Sequence, residues 1–150
     1  MVELQPSKGI TPFVILLGRM FYSFIFIFAS LQHFTKPLMD YAASHGVPMV
    51  GFLVPFSGVI AFLGGLSILL GYKGRWGAFL LVVFLVPVTL VMHNFWAVSD
   101  PASRQIQTIM FMKNLSMLGA ALIILSFGTG ALSLDKAGNG KRSRISRGSD

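Results

Sequence analysis

The sequence predicts an all-α membrane protein, a four-transmembrane-helix bundle with both termini cytoplasmic. Three observations predict it. Four long apolar runs fill most of the chain, and none contains an Asp or Glu. Hydrophobic residues make up 54% of the 150 residues and charged ones only 11%, too few to clothe the apolar excess in a polar surface, so lipid must cover it. The basic residues behind the formal net charge of +7 sit mostly at the ends of the runs and in the tail, a placement that fits membrane topology and not nucleic-acid binding. There is no cysteine, which removes disulfides, thiol redox chemistry, cysteine-ligated zinc and iron–sulfur clusters together.

Residues 1–11 form a short cytoplasmic arm with Lys8, and 12–135 a four-helix transmembrane domain. The first span is placed at Pro12 to Phe34; it is too long for a secretory signal, contains Arg19, and is closed by no small-residue cleavage pattern. Arg19, Ser23, Ser30 and His33 recur at offsets of four, eleven and fourteen, which at about 100° per residue makes one stripe that should face the bundle interior. In the loop from Thr35 to Met49, Pro37 suits a first helical position and Gly46 a stop. Leu38, Tyr41, Ala42 and His45 then share one side of a short helix, either a lid on the outer interface or a plain connector.

The second span, Val50 to Tyr72, is rich in small residues (Ser57, Gly58, Ala61, Gly64, Gly65, Ser67) that let helix backbones approach, and Gly71 ends it. The third, Trp76 to Val98, places Thr89, His93 and Trp96 on one stripe, with Asn94 beside it and Trp76 as an inner-boundary belt residue. Pro55 and Pro87 each delete a backbone donor within a span and should kink it. The fourth, Gln105 to Phe127, carries Lys113 and Asn114 about two turns in from its start. Each span has about 22–24 residues, enough at 1.5 Å per residue to cross a core of about 30 Å. Residues 136–150 read as a disordered basic cytoplasmic tail, a topology signal or a grip on anionic lipid.

Four crossings put both termini on one side. That side carries Lys8, Lys73, Arg75 and the tail's basic residues, whereas the other carries only Lys36 and Arg104, so the positive-inside rule makes both termini cytoplasmic.

The two cations inside the runs are the most informative polar groups. A charge at mid-membrane costs about 2.5–3.5 kcal/mol on insertion scales, and neither Arg19 nor Lys113 has a carboxylate within any run to offset it. Arg19 is near enough to the inner face to snorkel; Lys113 reaches water only through a cavity. By depth, His33, His93, Asn94, Trp96 and Lys113 converge in the outer leaflet, while Arg19 lies toward the cytoplasmic half. His93 and Trp96 also fit an interfacial belt.

Five short motifs carry a resemblance: Leu17-Gly18-Arg19, Gly46-Val47-Pro48, Leu63-Gly64-Gly65-Leu66, His93-Asn94-Phe95-Trp96 and Phe111-Met112-Lys113-Asn114-Leu115, with Leu132-Ser133-Leu134-Asp135 after the last span. In this order the chain resembles the DoxX family of small bacterial membrane proteins over roughly residues 13–135. The resemblance implies a four-helix protein of the bacterial inner membrane; some relatives are subunits of thiosulfate:quinone oxidoreductase or are linked to quinone and oxidative-stress handling. By position it singles out Arg19, His93, Asn94, Trp96, Lys113 and Asn114, with His33 secondary. Many relatives carry a Glu where this chain has Ala61.

These groups suit a quinone, an apolar ring with two carbonyl acceptors: His93, Lys113 or Asn114 can donate and Trp96 offers a stacking face. The leading expectation is a quinone-interacting membrane subunit of a redox system, with electrons supplied by a partner protein or a bound cofactor. His33 and His93 also have the depth of haem axial ligands, though two belt or packing histidines are the preferred reading. No metal site is read. A non-catalytic scaffold or lipid-binding helper is a second expectation, and a small solute transporter a third, weakened by the lack of any intramembrane carboxylate. Expected partners are the lipid bilayer, the redox protein and, in a homo-oligomer, further copies of the chain.

Overall fold

The computed structural model describes residues 10–130 and 132–135; the arm at 1–9 and the expected disordered tail at 136–150 lie outside the described residues. The described residues form α1 (Thr11–Gln32), α2 (Lys36–Ser44), α3 (Val50–Leu70), α4 (Gly74–Met92), a 3₁₀ turn (Phe95–Ala97) and α5 (Pro101–Phe127), with no strand. Four helical stretches are long and apolar enough to cross a membrane: Thr11–Gln32, Val50–Leu70, Gly74–Ala97 and Pro101–Phe127.

Local chemistry explains most of the boundaries. α1, α2 and α5 each carry a proline at the first or second position, where its missing N–H is not needed. α5 also has a side-chain cap, Asp100 Oδ2 accepting from the Ser103 amide at 2.8 Å. It therefore starts four residues before the Gln105 expected from hydropathy. α3 stops at Gly71, whose φ of 64° suits a residue without a Cβ.

α1 lies on α3, α3 on α4 and α4 on α5, and the short α2 leans on α3. Phe26, Ala61, Ile68, Leu81, Leu85 and Ala121 fill the shared interior. Glycines set the helix separations. A Cβ added at Gly64 would lie 3.0 Å from the Gly77 carbonyl, and one at Gly77 2.9 Å from the Gly64 carbonyl, so α3 and α4 meet backbone to backbone. At Gly58 a Cβ would lie 2.5 Å from His33 Cβ, and at Gly65 3.2 Å from the Ser23 carbonyl, so the same helix's other face receives α1. Ala61 is completely buried between these contacts. α1 and α5 approach less closely; Tyr22 joins them by donating to the Met117 carbonyl at 2.9 Å.

One end of the bundle is closed. After α5 the chain turns back under α3 and α4, and Arg19, only 5% exposed, reaches into this turn. Its Nη1 donates to the Thr129 carbonyl (3.1 Å) and its Nη2 to those of Leu69 (3.2 Å) and Leu132 (3.0 Å). Asp135 then accepts from the Lys73 and Gly74 amides, capping α4 from a distant part of the chain. Thr129 packs where a Gly74 Cβ would be, and Ser133 does the same at Gly71.

The third span departs from expectation. Hydropathy runs on to Val98, but the α-helix ends at Met92, and His93 sits at φ −124°, ψ 41°. Thr89, His93 and Trp96 therefore do not share one helical stripe.

Candidate functional site

The other end of the bundle holds a cavity of about 600 Å³, within the range of small-ligand sites. Every helix contributes to it: Phe26 from α1 and His33 just past it, Leu38 and Tyr41 from α2, Val54 and Ser57 from α3, Phe84 and Pro87 from α4 and His93 just past it, and Lys113, Asn114 and Met117 from α5. Most of the wall is apolar, so the few polar groups decide what fits.

α2 covers part of this cavity with Leu38, Tyr41 and Ala42, three of the residues whose spacing marks its inner side. A chain of hydrogen bonds ties it down. Tyr41 donates to the Met92 carbonyl (3.4 Å), left without a helical partner because α4 ends there; its oxygen accepts from Gln107 Nε2 (2.8 Å). Gln107 Oε1 then faces His93 Nδ1 at 2.9 Å. The direction of the chain is set at its carbonyl end, which can only accept, so His93 Nδ1 is a donor. Three helices and the helix break at His93 are thus linked over the cavity.

His33 is held differently. Its Nδ1 lies 2.9 Å from the Ala29 carbonyl one turn back, and its ring packs against Phe84 at 5.7 Å between centroids. Glycine at position 58 makes room for its Cβ.

α5 brings the cation and the amide. Because α5 begins at Pro101, Lys113 lies twelve residues along it, about 18 Å from the start of the helix at 1.5 Å per residue. Asn114 is 4% exposed and lines the cavity, and its carboxamide has no hydrogen-bond partner among the described residues. Lys113 is exposed where Asn114 is buried, and it has neither hydrogen bond nor ion pair among the described residues. The Asn114 amide is not sealed from the cavity, so its donor and acceptor stay open to whatever fills that space.

Of the residues singled out from the sequence, the fold brings His33, His93, Lys113 and Asn114 to one cavity. Asn94, Trp96 and Arg19 do not line it. The helix break turns Trp96 outward, where it is exposed and meets Phe95 and Phe111 edge-on. Asn94 precedes that turn as its N-cap. Arg19 lies fourteen residues from His33 on the same helix, about 21 Å away, occupied with backbone carbonyls. Tyr41 and Gln107 are site residues that local periodicity could not pair, being 66 positions apart. The signals were a glutamine in an apolar span and a tyrosine on the inner side of the short helix.

A second depression, about 670 Å³, lies along the outer face of α1 between Met20, Phe21, Phe24 and Phe28, with Gln32 at one end; it is mostly apolar, the form of a groove filled by lipid chains.

Comparison with known proteins adds the following. The DoxX family profile matches residues 14–94, which contain α1 beyond its first three residues and all of α2 to α4 but stop short of Lys113 and Asn114. The Escherichia coli inner membrane protein YqjF is 31% identical over 129 residues, 85% of this chain and 93% of its own length. The Escherichia coli inner membrane protein YphA is 30% identical over 128 residues, 83% of this chain and 90% of its own. The ER-derived vesicles protein ERV29 of Saccharomyces cerevisiae is 27% identical over 81 residues, 54% of this chain and 26% of its own. No solved structure matches the chain.

Proposed function

Since the chain belongs to the DoxX family, we propose that it is a multi-pass inner-membrane protein whose cavity takes the ring of a quinone, as the membrane part of a redox or oxidative-stress system. The observation that carries this reading is the Asn114 amide, which has no hydrogen-bond partner among the described residues and is open to an otherwise apolar cavity that Lys113 also lines.

The fit is chemical as well as spatial. A ring with two oxygens needs apolar walls and a few donors, and Phe26, Val54, Phe84 and Met117 supply the first while Lys113 and Asn114 supply the second. A cation also favours the anionic forms that a quinone passes through on reduction. The chain has no cysteine, so electrons are exchanged through a partner protein or a bound cofactor.

Lys73 and Arg75 lie at the closed end, which the positive-inside rule makes cytoplasmic, so the cavity belongs to the outer half of the membrane. The scaffold alternative, with interior cations holding a lipid phosphate, is less well supported because the Arg19 guanidinium is already committed to carbonyls.

Organic extraction of the purified protein tests the reading. Quinone should be recovered in about equal amount with the protein and lost from the Asn114→Leu variant; equal trace amounts from both would overturn it.

A further inference from the structure

His33 and His93 both line the cavity, and both have Nδ1 fixed on an oxygen: the Ala29 carbonyl at 2.9 Å and Gln107 Oε1 at 2.9 Å. A carbonyl oxygen cannot donate, so in each neutral ring the proton is on Nδ1 and Nε2 is a lone pair. Neither Nε2 has a partner among the described residues, and neither is sealed from access. One side of the cavity therefore presents acceptors, from α1 and the end of α4, while α5 presents donors, Lys113 and the Asn114 amide.

A quinone has only acceptors and can satisfy α5 alone. It covers both imidazole lone pairs without offering them a donor, and an acceptor that loses water and gains no partner on binding lowers affinity. The two-electron-reduced form, an aromatic diol, carries O–H groups that donate and oxygens that still accept. It alone can serve both sets of groups at once.

We propose that this cavity selects the hydrogen-donating diol form of its ring ligand over the dicarbonyl form, with His33 and His93 as the residues that set the choice. This rests on the quinone reading above and adds which redox form is held. It concerns binding and invokes no electron-transfer step.

The test uses three short-tailed probes under anaerobic conditions at about pH 8: a benzoquinone, its quinol, and the quinol's dimethyl ether, which keeps the ring and oxygens but cannot donate. Binding to the full chain in lipid nanodiscs should be about tenfold tighter for the quinol than for the other two, the worth of one good hydrogen bond. Equal affinity for all three, or tighter quinone binding, overturns the selectivity while leaving the quinone reading intact. No binding of any probe overturns both. Because truncating His93 also frees Gln107, ¹⁵N-histidine NMR supplies an independent readout. Nδ1-protonated rings at positions 33 and 93 support the proposal, and Nε2-protonated rings contradict it.

Discussion

His93 Nδ1 and Gln107 Oε1 meet at 2.9 Å where α4 has just ended, and through Gln107 the same bond chain reaches Tyr41 on α2. A short helix with few anchors of its own is thereby held over the cavity, and weakening this chain should free it before anything else.

Gln107→Leu removes both of the amide's bonds without changing bulk much. Two neutral hydrogen bonds together contribute about 1–2 kcal/mol, so amide exchange across Lys36–Ser44 should speed up about tenfold while α3 and α4 stay protected. Exchange mass spectrometry in nanodiscs checks this. Unchanged protection of α2 would mean that its apolar contacts suffice.

Arg19→Leu should destabilise the bundle by at least about 3 kcal/mol, because three carbonyls lose a charged donor in a buried site. Ligand affinity should hold within about twofold, since the nearest α1 residues on the cavity wall, Ile25 and Phe26, lie six and seven residues away, about 10 Å along the helix, and the guanidinium is held at the closed end by backbone carbonyls. Thermal unfolding and probe binding measured on one sample separate the two effects. A large loss of affinity with normal stability would return Arg19 to the ligand site.

Two glycine substitutions make a matched pair. Gly58→Ala puts a methyl group 2.5 Å from His33 Cβ and should cost about 1–3 kcal/mol while displacing His33 from its place in the cavity. Gly119→Ala meets nothing within 4 Å and should be neutral or slightly stabilising. Unfolding midpoints of the two variants give the comparison.

Asp100 supplies the pH dependence. The Ser103 backbone N–H, and then the Ser103 side chain, hold its carboxyl below its ordinary value of 3.8. A depressed folded pKa means the cap's contribution is complete above the unfolded value and is lost as pH falls through the lower, folded one. The first turn of α5 should thus fray only in acid below the ordinary aspartate range, seen as faster exchange of the Ser103 amide. Asp100→Asn, which caps without titrating, should abolish that acid sensitivity.

Much of this architecture could be read from the chain, and specific residues show where reading stopped. Arg19, Ser23 and Ser30 share a buried face as their 3.6-residue period requires, and Pro37 and Gly46 bracket α2 because they act on the local backbone. The break at His93 was hidden because hydropathy continues to Val98 and lipid exposure does not distinguish a helix from a turn. The carbonyls that engage Arg19 come from Leu69, Thr129 and Leu132, up to 113 positions away, and no periodic signal encodes that return of the chain. The four residues on the cavity were selected from charge, amide or imidazole in an apolar run. Asn94 and Trp96 were selected on the same grounds, and only the helix break separates them from the rest.

The central claim is that something occupies the space beside Asn114 and Lys113. Equilibrium binding of a short-tailed benzoquinol to the full chain in nanodiscs tests it most directly, with Asn114→Leu and Lys113→Met alongside. Saturable one-to-one binding, weakened about tenfold or more by each substitution, is the predicted result. Binding that both variants leave unchanged, or none at all to a well-folded protein, would contradict it.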